Sequence, residues 1–337
     1  MAHKYGIWNQ LNGIDNSTNY ELKSILFSTF IIEEQSDCYI NIPKPNRCMS
    51  AFFQDIPLLV LTAIFAFLSI VVLISYNIGR KFSAGKYLQY TWVFFLILVV
   101  SDVFSFSYAA IGWAIISFLI LREYFSLVDL RIQDRIGILV AYLSIPFMMY
   151  MIITDWYNMF IITIPVYSFL LIPFLISISG KETEGAIYSI GTIDFGLFLF
   201  VFCLGHLAYL SFFSTWMAAM LILNVAICDI IFLILRDKIQ DKRKLLFFKF
   251  LIPLPLTVLL SVVLSSWTGI PLNHSIVLGL MIPALVIIGN QTVQYFEIDL
   301  GITENVMNPG RGLIINNTKS LLFTAPVIFH YIRYFLF

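Results

Sequence analysis

Long apolar runs, separated by short polar segments, fill the chain from residue 56 onwards. A helix needs about 17 to 25 residues to cross the hydrocarbon core of a bilayer, and most of these runs reach that length. None alternates like a barrel strand, and lipid offers the backbone no hydrogen-bond partners, so each crossing is predicted to be α-helical. The runs fall at 56–78, 87–106, 108–121, 136–153, 157–179, 190–212, 215–235, 247–267, 274–296 and 320–337.

The number of crossings is predicted to be nine or ten. The third run, 108–121, is short, and the joints at 101–108 and 211–215 are tight enough to be re-entrant turns. Composition indicates the same class of protein, because 60% of the residues are apolar and only 12% are charged, a balance that a soluble domain does not tolerate. The predicted fold class is therefore an all-α, polytopic integral membrane protein.

The first 55 residues are polar and are predicted to form an N-terminal tail. In an oxidising compartment Cys38 and Cys48 could pair across a nine-residue loop. Two free thiols are the alternative, and the sequence leaves both open. Residues 1–23 lack the apolar core of a cleavable signal peptide.

Net charge is zero, which argues against a nucleic-acid partner because such a partner needs a basic face.

The distribution of charge predicts an orientation. Positively charged loops usually stay in the cytoplasm. With the N-terminus outside, fifteen of the 20 Lys and Arg residues lie at Lys249 or in the inner loops, which are 80–86, 122–135, 180–189, 236–246 and 297–319. We therefore predict that the N-terminus is outside.

Four long segments agree in register with one known family. They are FLILREYFSL (118–127), IPVYSFLLIPFL (164–175), GKETEG (180–185) and LLFTAPVIFHYIRYF (321–335). These segments resemble the phosphatidate cytidylyltransferase, or CDP-diacylglycerol synthase, family, especially its plant- and bacterial-type branch with TAPxxFHYxRY at the end. The resemblance covers roughly residues 108 to 337. It implies a bacterial inner-membrane enzyme, often dimeric, that joins CTP to phosphatidic acid and releases pyrophosphate.

The resemblance implies a phosphoryl-transfer site at residues 289–320. In such a site divalent ions held by carboxylates clamp the phosphates, and Lys and Arg steady the leaving group. The family signature runs Ser-x-x-Lys-Arg-x4-Lys-Asp, then a glycine-rich turn, then Asp-Arg-x-Asp-Ser. Most of its chemical positions hold other residues here: Gln294 for Ser, Glu297 and Ile298 for Lys-Arg, Thr303 and Glu304 for Lys-Asp, and Asn316, Asn317 and Lys319 for Asp-Arg-x-Asp.

Some positions match the family. They are Asp299, Gly301 and Ser320, with Glu304 as a longer acid. Asp229 in CDIIFLIL matches the acid of an earlier Asn-Asp pair, with Cys228 in place of the asparagine, and Asn290 replaces the acid of a Gly-Asp pair. The family's basic Ser-Pro-x-Lys-Thr loop is missing, because RDKIQDKRKLLFFKF (236–250) is predicted to run straight into the next helix.

The missing carboxylates predict a loss of catalysis. Mg²⁺ is usually bound through carboxylates and substrate phosphates, whereas Asn316 brings no charge and Lys319 brings a positive one. Single electrostatic contributors are often worth about 3 to 4 kcal/mol of transition-state stabilisation. No cofactor is therefore expected, and Mg²⁺ only if the remnant acids Asp229, Asp299 and Glu304 have taken over its binding.

The substitutions offset each other in charge. Glu297 and Ile298 in place of Lys-Arg shift one block by −3, and Asn316 and Lys319 in place of two Asp residues shift the other by +3. One hypothesis is that Glu297 and Lys319 now form an ion pair that closes the old site. Drift after loss of selection is the alternative, because two offsetting blocks can arise by accident.

Ionisable residues at bilayer depth are costly and are candidates for function. Asp155 and Asp194 are predicted to lie at membrane interfaces, and His206 is predicted to be a hydrogen-bonded core histidine. The candidates for contacting a lipid phosphate are Arg311, His330 and Arg333. For the last two, a neighbouring acid is the alternative partner.

Three functions are left open by the sequence. The chain is a catalytically degenerate homologue that acts through lipid or partner-protein binding, an active enzyme with relocated metal ligands, or a membrane scaffold subunit without lipid specificity. The expected partners are a phosphatidic acid-like phospholipid and a second copy of the chain or another membrane protein. The predicted organisation is a tail at 1–55, N-terminal transmembrane helices at 56–135, and a synthase-like domain at 136–337 with the degenerate signature at 289–320.

Overall fold

The computed structural model describes residues 56–77, 84–179, 183–299 and 313–336. Within these ranges every regular element is a helix, so the all-α prediction is confirmed. The described residues belong to one compact unit, Asp55–Leu336. Outside the described residues lie Cys38, Cys48, Thr303, Glu304 and Arg311.

Short connections join the helices in chain order. The α-helices are α1 (Ile56–Asn77), α2 (Ala84–Val103), α3 (Phe106–Phe125), α4 (Arg135–Ile153), α5 (Tyr157–Ile162), α6 (Phe169–Ser179), α7 (Ala186–Gly196), α8 (Cys203–Phe213), α9 (Thr215–Lys238), α10 (Lys242–Leu251), α11 (Pro253–Thr268), α12 (Leu272–Asp299) and α13 (Leu313–Leu336). Two π-helical segments, Thr163–Ser168 and Leu197–Phe202, join α5 to α6 and α7 to α8 without a break.

Eight helical segments of the described chain are long and apolar enough to cross a bilayer, which confirms a polytopic membrane protein. α2 has a shorter apolar stretch, Leu88–Val103. α13 is not among the eight, because residues such as Asn316 and Lys319 make its first half polar. The third predicted run becomes a 20-residue helix, α3, since Arg122 and Glu123 continue the helix beyond the apolar residues.

The two tight joints are short turns between long helical segments. α2 ends at Val103 and α3 begins at Phe106, while α8 ends at Phe213 and α9 begins at Thr215. The segments on both sides of each joint are 20 residues or longer. The described chain therefore contains a helical segment for each of the ten predicted runs.

The basic stretch after α9 leads directly into the next crossing, as predicted, because only Ile252 separates α10 from α11 and Arg243–Thr268 forms one membrane-length segment. Asp241 caps α10 by accepting a hydrogen bond from the Arg243 backbone N–H at 2.9 Å. Pro253 begins α11, where its missing N–H costs nothing. Asp241 therefore marks the start of this segment, and Pro253 marks the point where its basic part gives way to the apolar part.

α12 and α13 approach each other closely at Gly289. A Cβ at this position would lie 3.1 Å from Phe323 Cβ and 3.2 Å from the Lys319 carbonyl oxygen, which is tighter than an ordinary contact. The absence of a side chain therefore lets the two helices pack at this height. Their contact places Asn290 of α12 beside Ser320 of α13.

Long-range contacts group the connections at the two ends of the bundle. At one end the Arg131 guanidinium donates a hydrogen bond to the Glu184 carbonyl oxygen. At the other end the Tyr209 hydroxyl donates to Asp155 Oδ1 at 2.6 Å. This grouping follows the predicted alternation of loops, while the choice of the cytoplasmic end stays a prediction.

Candidate functional site

A polar network lies where α9, α12 and α13 meet. Its centre is Asp229 of α9, whose carboxylate is almost fully buried. Asp229 Oδ1 accepts hydrogen bonds from Ser320 Oγ at 2.6 Å and from Asn290 Nδ2 at 3.3 Å. Ser320 Oγ also lies 3.1 Å from Asn290 Oδ1, but a hydroxyl has one proton, and the shorter contact marks the carboxylate as its acceptor. One buried carboxylate thus connects three helices.

An ion pair between α12 and α13 lies next along the same two helices. Lys319 Nζ is 3.3 Å from Glu297 Oε2 and 2.5 Å from Asn316 Oδ1. The Lys319 and Glu297 side chains are only 11% and 9% exposed. The predicted ion pair is therefore present, and each charge depends on its partner because little water reaches either one.

The charges around Asp229 are balanced within the protein. Lys319 and Lys249 both lie close enough to Asp229 to interact with its charge. Lys249 comes from α10, with its Nζ 5.1 Å from the centre of the Phe232 ring. Two ammonium groups therefore lie near the Asp229 carboxylate, and one of them, Lys319, also pairs with Glu297.

These residues do not fit a divalent metal ion. A cation entering beside Asp229 would be repelled by two lysines, and the neighbouring Asn290 can offer only an uncharged carbonyl oxygen. No group of three or more His, Cys, Asp or Glu that could hold a metal occurs among the residues that the structure describes.

Glu123 of α3 fixes the start of α13. Its Oε2 accepts hydrogen bonds from the backbone N–H groups of Ile314 at 2.9 Å and Ile315 at 3.0 Å. A carboxylate at this place satisfies two first-turn donors and lies at the positive end of the helix dipole. The sequence pattern does not single out Glu123, because its partners are 191 and 192 residues away. The available signal was its place in segment 118–127, which carries the family resemblance.

Two crevices open on different faces of α13. One, of about 350 Å³ including space open to solvent, has Asp229 and Asn317 in its wall. The other, of about 640 Å³, is lined by Glu297, Asp299 and Ile315. Ile315 and Asn317 are two residues apart and point to nearly opposite sides of the helix. The helix that carries Lys319 therefore separates the crevices.

The structure does not bring the described remnant acids together. Asp229 lines the first crevice, whereas Asp299 is exposed at the end of α12 and lines the second. Gln294 and Ile298, which stand at the Ser and Arg positions of the signature, are exposed as well. Asp229 has asparagine and serine as its polar neighbours instead of a second carboxylate.

Asp194, which was predicted to meet water at a membrane interface, has a buried side chain. α7 begins at Ala186, so Asp194 lies about 12 Å into a helical segment of 28 residues. Its side chain is 7% exposed, and within the described chain neither carboxylate oxygen has a hydrogen-bond partner. The charged residue type suggested contact with water, but the position of Asp194 within α7 places its side chain among other helices.

The burial of two other ionisable residues agrees with what was expected of them. His206 is fully buried, with Nδ1 2.8 Å from the Phe202 carbonyl oxygen, as expected for a core histidine. Asp155 is exposed at the joint between α4 and α5, as expected for an interface. His330 and Arg333 lie near the end of α13, away from the Asp229 network.

Comparison with curated proteins shows a distant similarity. The chain is 26% identical over 240 residues to the uncharacterized protein YnbB of Escherichia coli (strain K12), covering 66% of this chain and 78% of that protein. No family model matches the chain, and no solved structure matches it.

Proposed function

We propose that this chain is a phosphatidate cytidylyltransferase-like membrane protein that has lost nucleotidyl transfer and that acts by binding membrane lipid or a partner protein. The observation that carries the proposal is the ion pair between Glu297 and Lys319. These residues stand at positions where the family resemblance implies a leaving-group cation and a metal-binding acid. Because the two side chains pair directly, neither group is left to bind a phosphate or a metal ion.

The proposal has a physical basis in the balance of charge. An active site for phosphoryl transfer needs uncompensated acids to hold cations and uncompensated bases to hold phosphate. Here Asp229 is satisfied by Ser320, Asn290 and nearby lysines, and Lys319 is satisfied by Glu297 and Asn316. The described residues therefore leave little net charge for a nucleotide and its metal ions.

The activity test uses the full-length protein in mild detergent with CTP, Mg²⁺ and phosphatidic acid, beside an active bacterial cytidylyltransferase as the positive control. We expect no CDP-diacylglycerol from this chain. Turnover that Asp229→Asn abolishes would refute the proposal and establish the active-enzyme alternative. Turnover that survives the combined substitution of Asp229→Asn, Asp299→Asn and Glu304→Gln would indicate a contaminating enzyme.

The binding half of the proposal has its own test. Protein purified in mild detergent is analysed for copurified phospholipids and proteins together. Enrichment of a phosphatidic acid-like lipid over the bulk membrane supports lipid binding, and a stoichiometric membrane protein or a homodimer supports a partner role. A monomer without enriched lipid would favour neither and would contradict the proposal.

We place the protein in the bacterial inner membrane with its N-terminus outside, in agreement with the charge of its loops.

A further inference from the structure

An open cleft lies at the C-terminal end of α13, far from the Asp229 network. It encloses about 940 Å³, including space open to solvent, and is lined by Tyr157, His330, Tyr331, Arg333, Tyr334 and Phe335. Arg333 follows Lys319 by 14 residues, which corresponds to about 21 Å along the helix. The cleft is therefore a separate site at the other end of the bundle.

The Arg333 guanidinium is held by aromatic faces. Its Cζ lies 4.1 Å from the centre of the Tyr157 ring and 5.5 Å from that of Phe213. Cation–π contacts at these distances hold the guanidinium beside the two rings. No carboxylate among the residues that the structure describes forms a salt bridge with Arg333. The side chain is thus held by the rings and lacks an anionic partner within the described chain.

The acid beside the cleft is engaged elsewhere. Asp155 Oδ1 accepts the Tyr209 hydroxyl at 2.6 Å. Tyr209 lies within electrostatic reach of both Asp155 and Arg333, so the acid and the base are near each other without touching. Asp155 is therefore the control residue for any test of this cleft.

The remaining lining groups suit a phosphate. His330 lies one turn before Arg333 on the same side of α13 and is exposed, and Tyr157 and Tyr334 add phenolic hydroxyls. The Tyr331 hydroxyl is 2.9 Å from His274 Nδ1. Among the residues that the structure describes, no carboxylate lines the cleft. Arginine, imidazole and hydroxyl donors without an acid form a set that binds phosphate oxygens.

We propose that this cleft binds the phosphate of a membrane phospholipid headgroup. Free phosphate would offer the same oxygens, but the exposed aromatic rings favour a lipid source: Tyr334 is 81% exposed, Phe335 55%, and Trp156 next to the cleft 49%. Such rings collect where a membrane meets water, and they would contact the glycerol and acyl region of a bound lipid. This inference rests on the lipid-binding half of the proposed function. Phospholipid binding that is unchanged in the cleft variants would refute the cleft and leave the proposed function standing, whereas nucleotidyl transfer would refute the proposed function and leave the cleft standing.

The test is native mass spectrometry of the detergent-solubilised full-length protein, titrated with phosphatidic acid, and with phosphatidylcholine as the zwitterionic comparison. We expect Arg333→Gln to weaken phosphatidic acid binding about tenfold or more, because charge-assisted hydrogen bonds are lost. Arg333→Lys should recover part of the affinity, since it keeps the charge without the planar fork. Asp155→Asn should leave the affinity unchanged or increase it.

A second variant keeps the proposal testable if Arg333→Gln does not fold. His330 is exposed and its ring also contacts His206, with 4.9 Å between the ring centres, so His330→Gln removes one donor and one ring contact. We expect a two- to fivefold loss of affinity, a smaller effect than at Arg333. Lys244→Gln, at an exposed position of α10, is the control for the loss of a cation away from the cleft. Equal affinities for wild type, Arg333→Gln and His330→Gln would overturn the proposal. Competition by inorganic phosphate at the same concentration as the lipid would overturn the lipid source.

Discussion

The positively charged side chains near the two ends of α13 have different environments. Near its start, Lys319 is mostly buried and is paired with Glu297 and Asn316. Near its end, Arg333 lies against aromatic rings in an open cleft without a salt bridge from the described residues. A charge that is paired within the protein contributes to stability, whereas a charge without a salt bridge can bind a ligand. The difference predicts that substitutions at the first end change stability and those at the second end change binding.

The largest expected effect is at the ion pair. Lys319→Met should destabilise the protein by about 3 to 5 kcal/mol, because the nearly buried Glu297 carboxylate would lose its ammonium partner. Reversible unfolding in mixed micelles of mild detergent and dodecyl sulfate measures the loss. The double variant Lys319→Met, Glu297→Gln should recover most of the stability. A single variant within about 1 kcal/mol of wild type would show that the pair is not needed by the fold.

The next effect is expected at the network beside the pair. Ser320→Ala removes the shorter of two hydrogen bonds to the buried Asp229 carboxylate and should cost about 1 to 3 kcal/mol in the same unfolding assay. Ser265→Ala is the matched control, because that hydroxyl bonds only to the Val262 carbonyl of its own helix. If both variants lose equally little, the network contributes no more than an ordinary helix-surface serine.

The cap on α13 should have a smaller and more local effect. Glu123→Gln keeps an oxygen near the Ile314 and Ile315 amides but removes the charge that complements the helix dipole. We expect a loss of about 0.5 to 1 kcal/mol. Hydrogen exchange of these two amides should become faster while that of α12 stays unchanged. Exchange that rises equally in both helices would mean that Glu123 acts on the whole bundle.

The smallest effect on stability is expected at the open end. Arg333→Gln should change the free energy of unfolding by about 0.5 to 1 kcal/mol, the usual size of an exposed cation–π contact. The same variant is expected to show the largest loss of phospholipid binding. A destabilisation as large as that of Lys319→Met would remove the distinction between the two ends.

The helices follow from the sequence because apolar length is a local property. Each of the ten apolar runs corresponds to a helical segment of the described chain. The helix ends are harder to predict, since Arg122 and Glu123 extend α3 although they interrupt its apolar pattern. Asp194 shows the same limit, because its burial depends on the helices that pack around α7 and not on its neighbours in the chain.

The site could be predicted only in part. Asp229, Glu297, Lys319 and Ser320 were reached through the family resemblance, and the structure places them in two adjoining contacts. Offsetting charge was the signal for the ion pair. Neither charge nor spacing could indicate Glu123 or Lys249, since both reach the cluster from helices outside the signature.

The cap supplied by Glu123 has a consequence for biosynthesis. A chain is made from its N-terminus, and Glu123 precedes Ile314 by 191 residues. The acid that anchors the final helix is therefore already inserted when that helix leaves the ribosome. Correct placement of α13 therefore depends on α3 having entered the membrane in the correct orientation. An inverted α3 would leave the first turn of α13 without the Glu123 carboxylate.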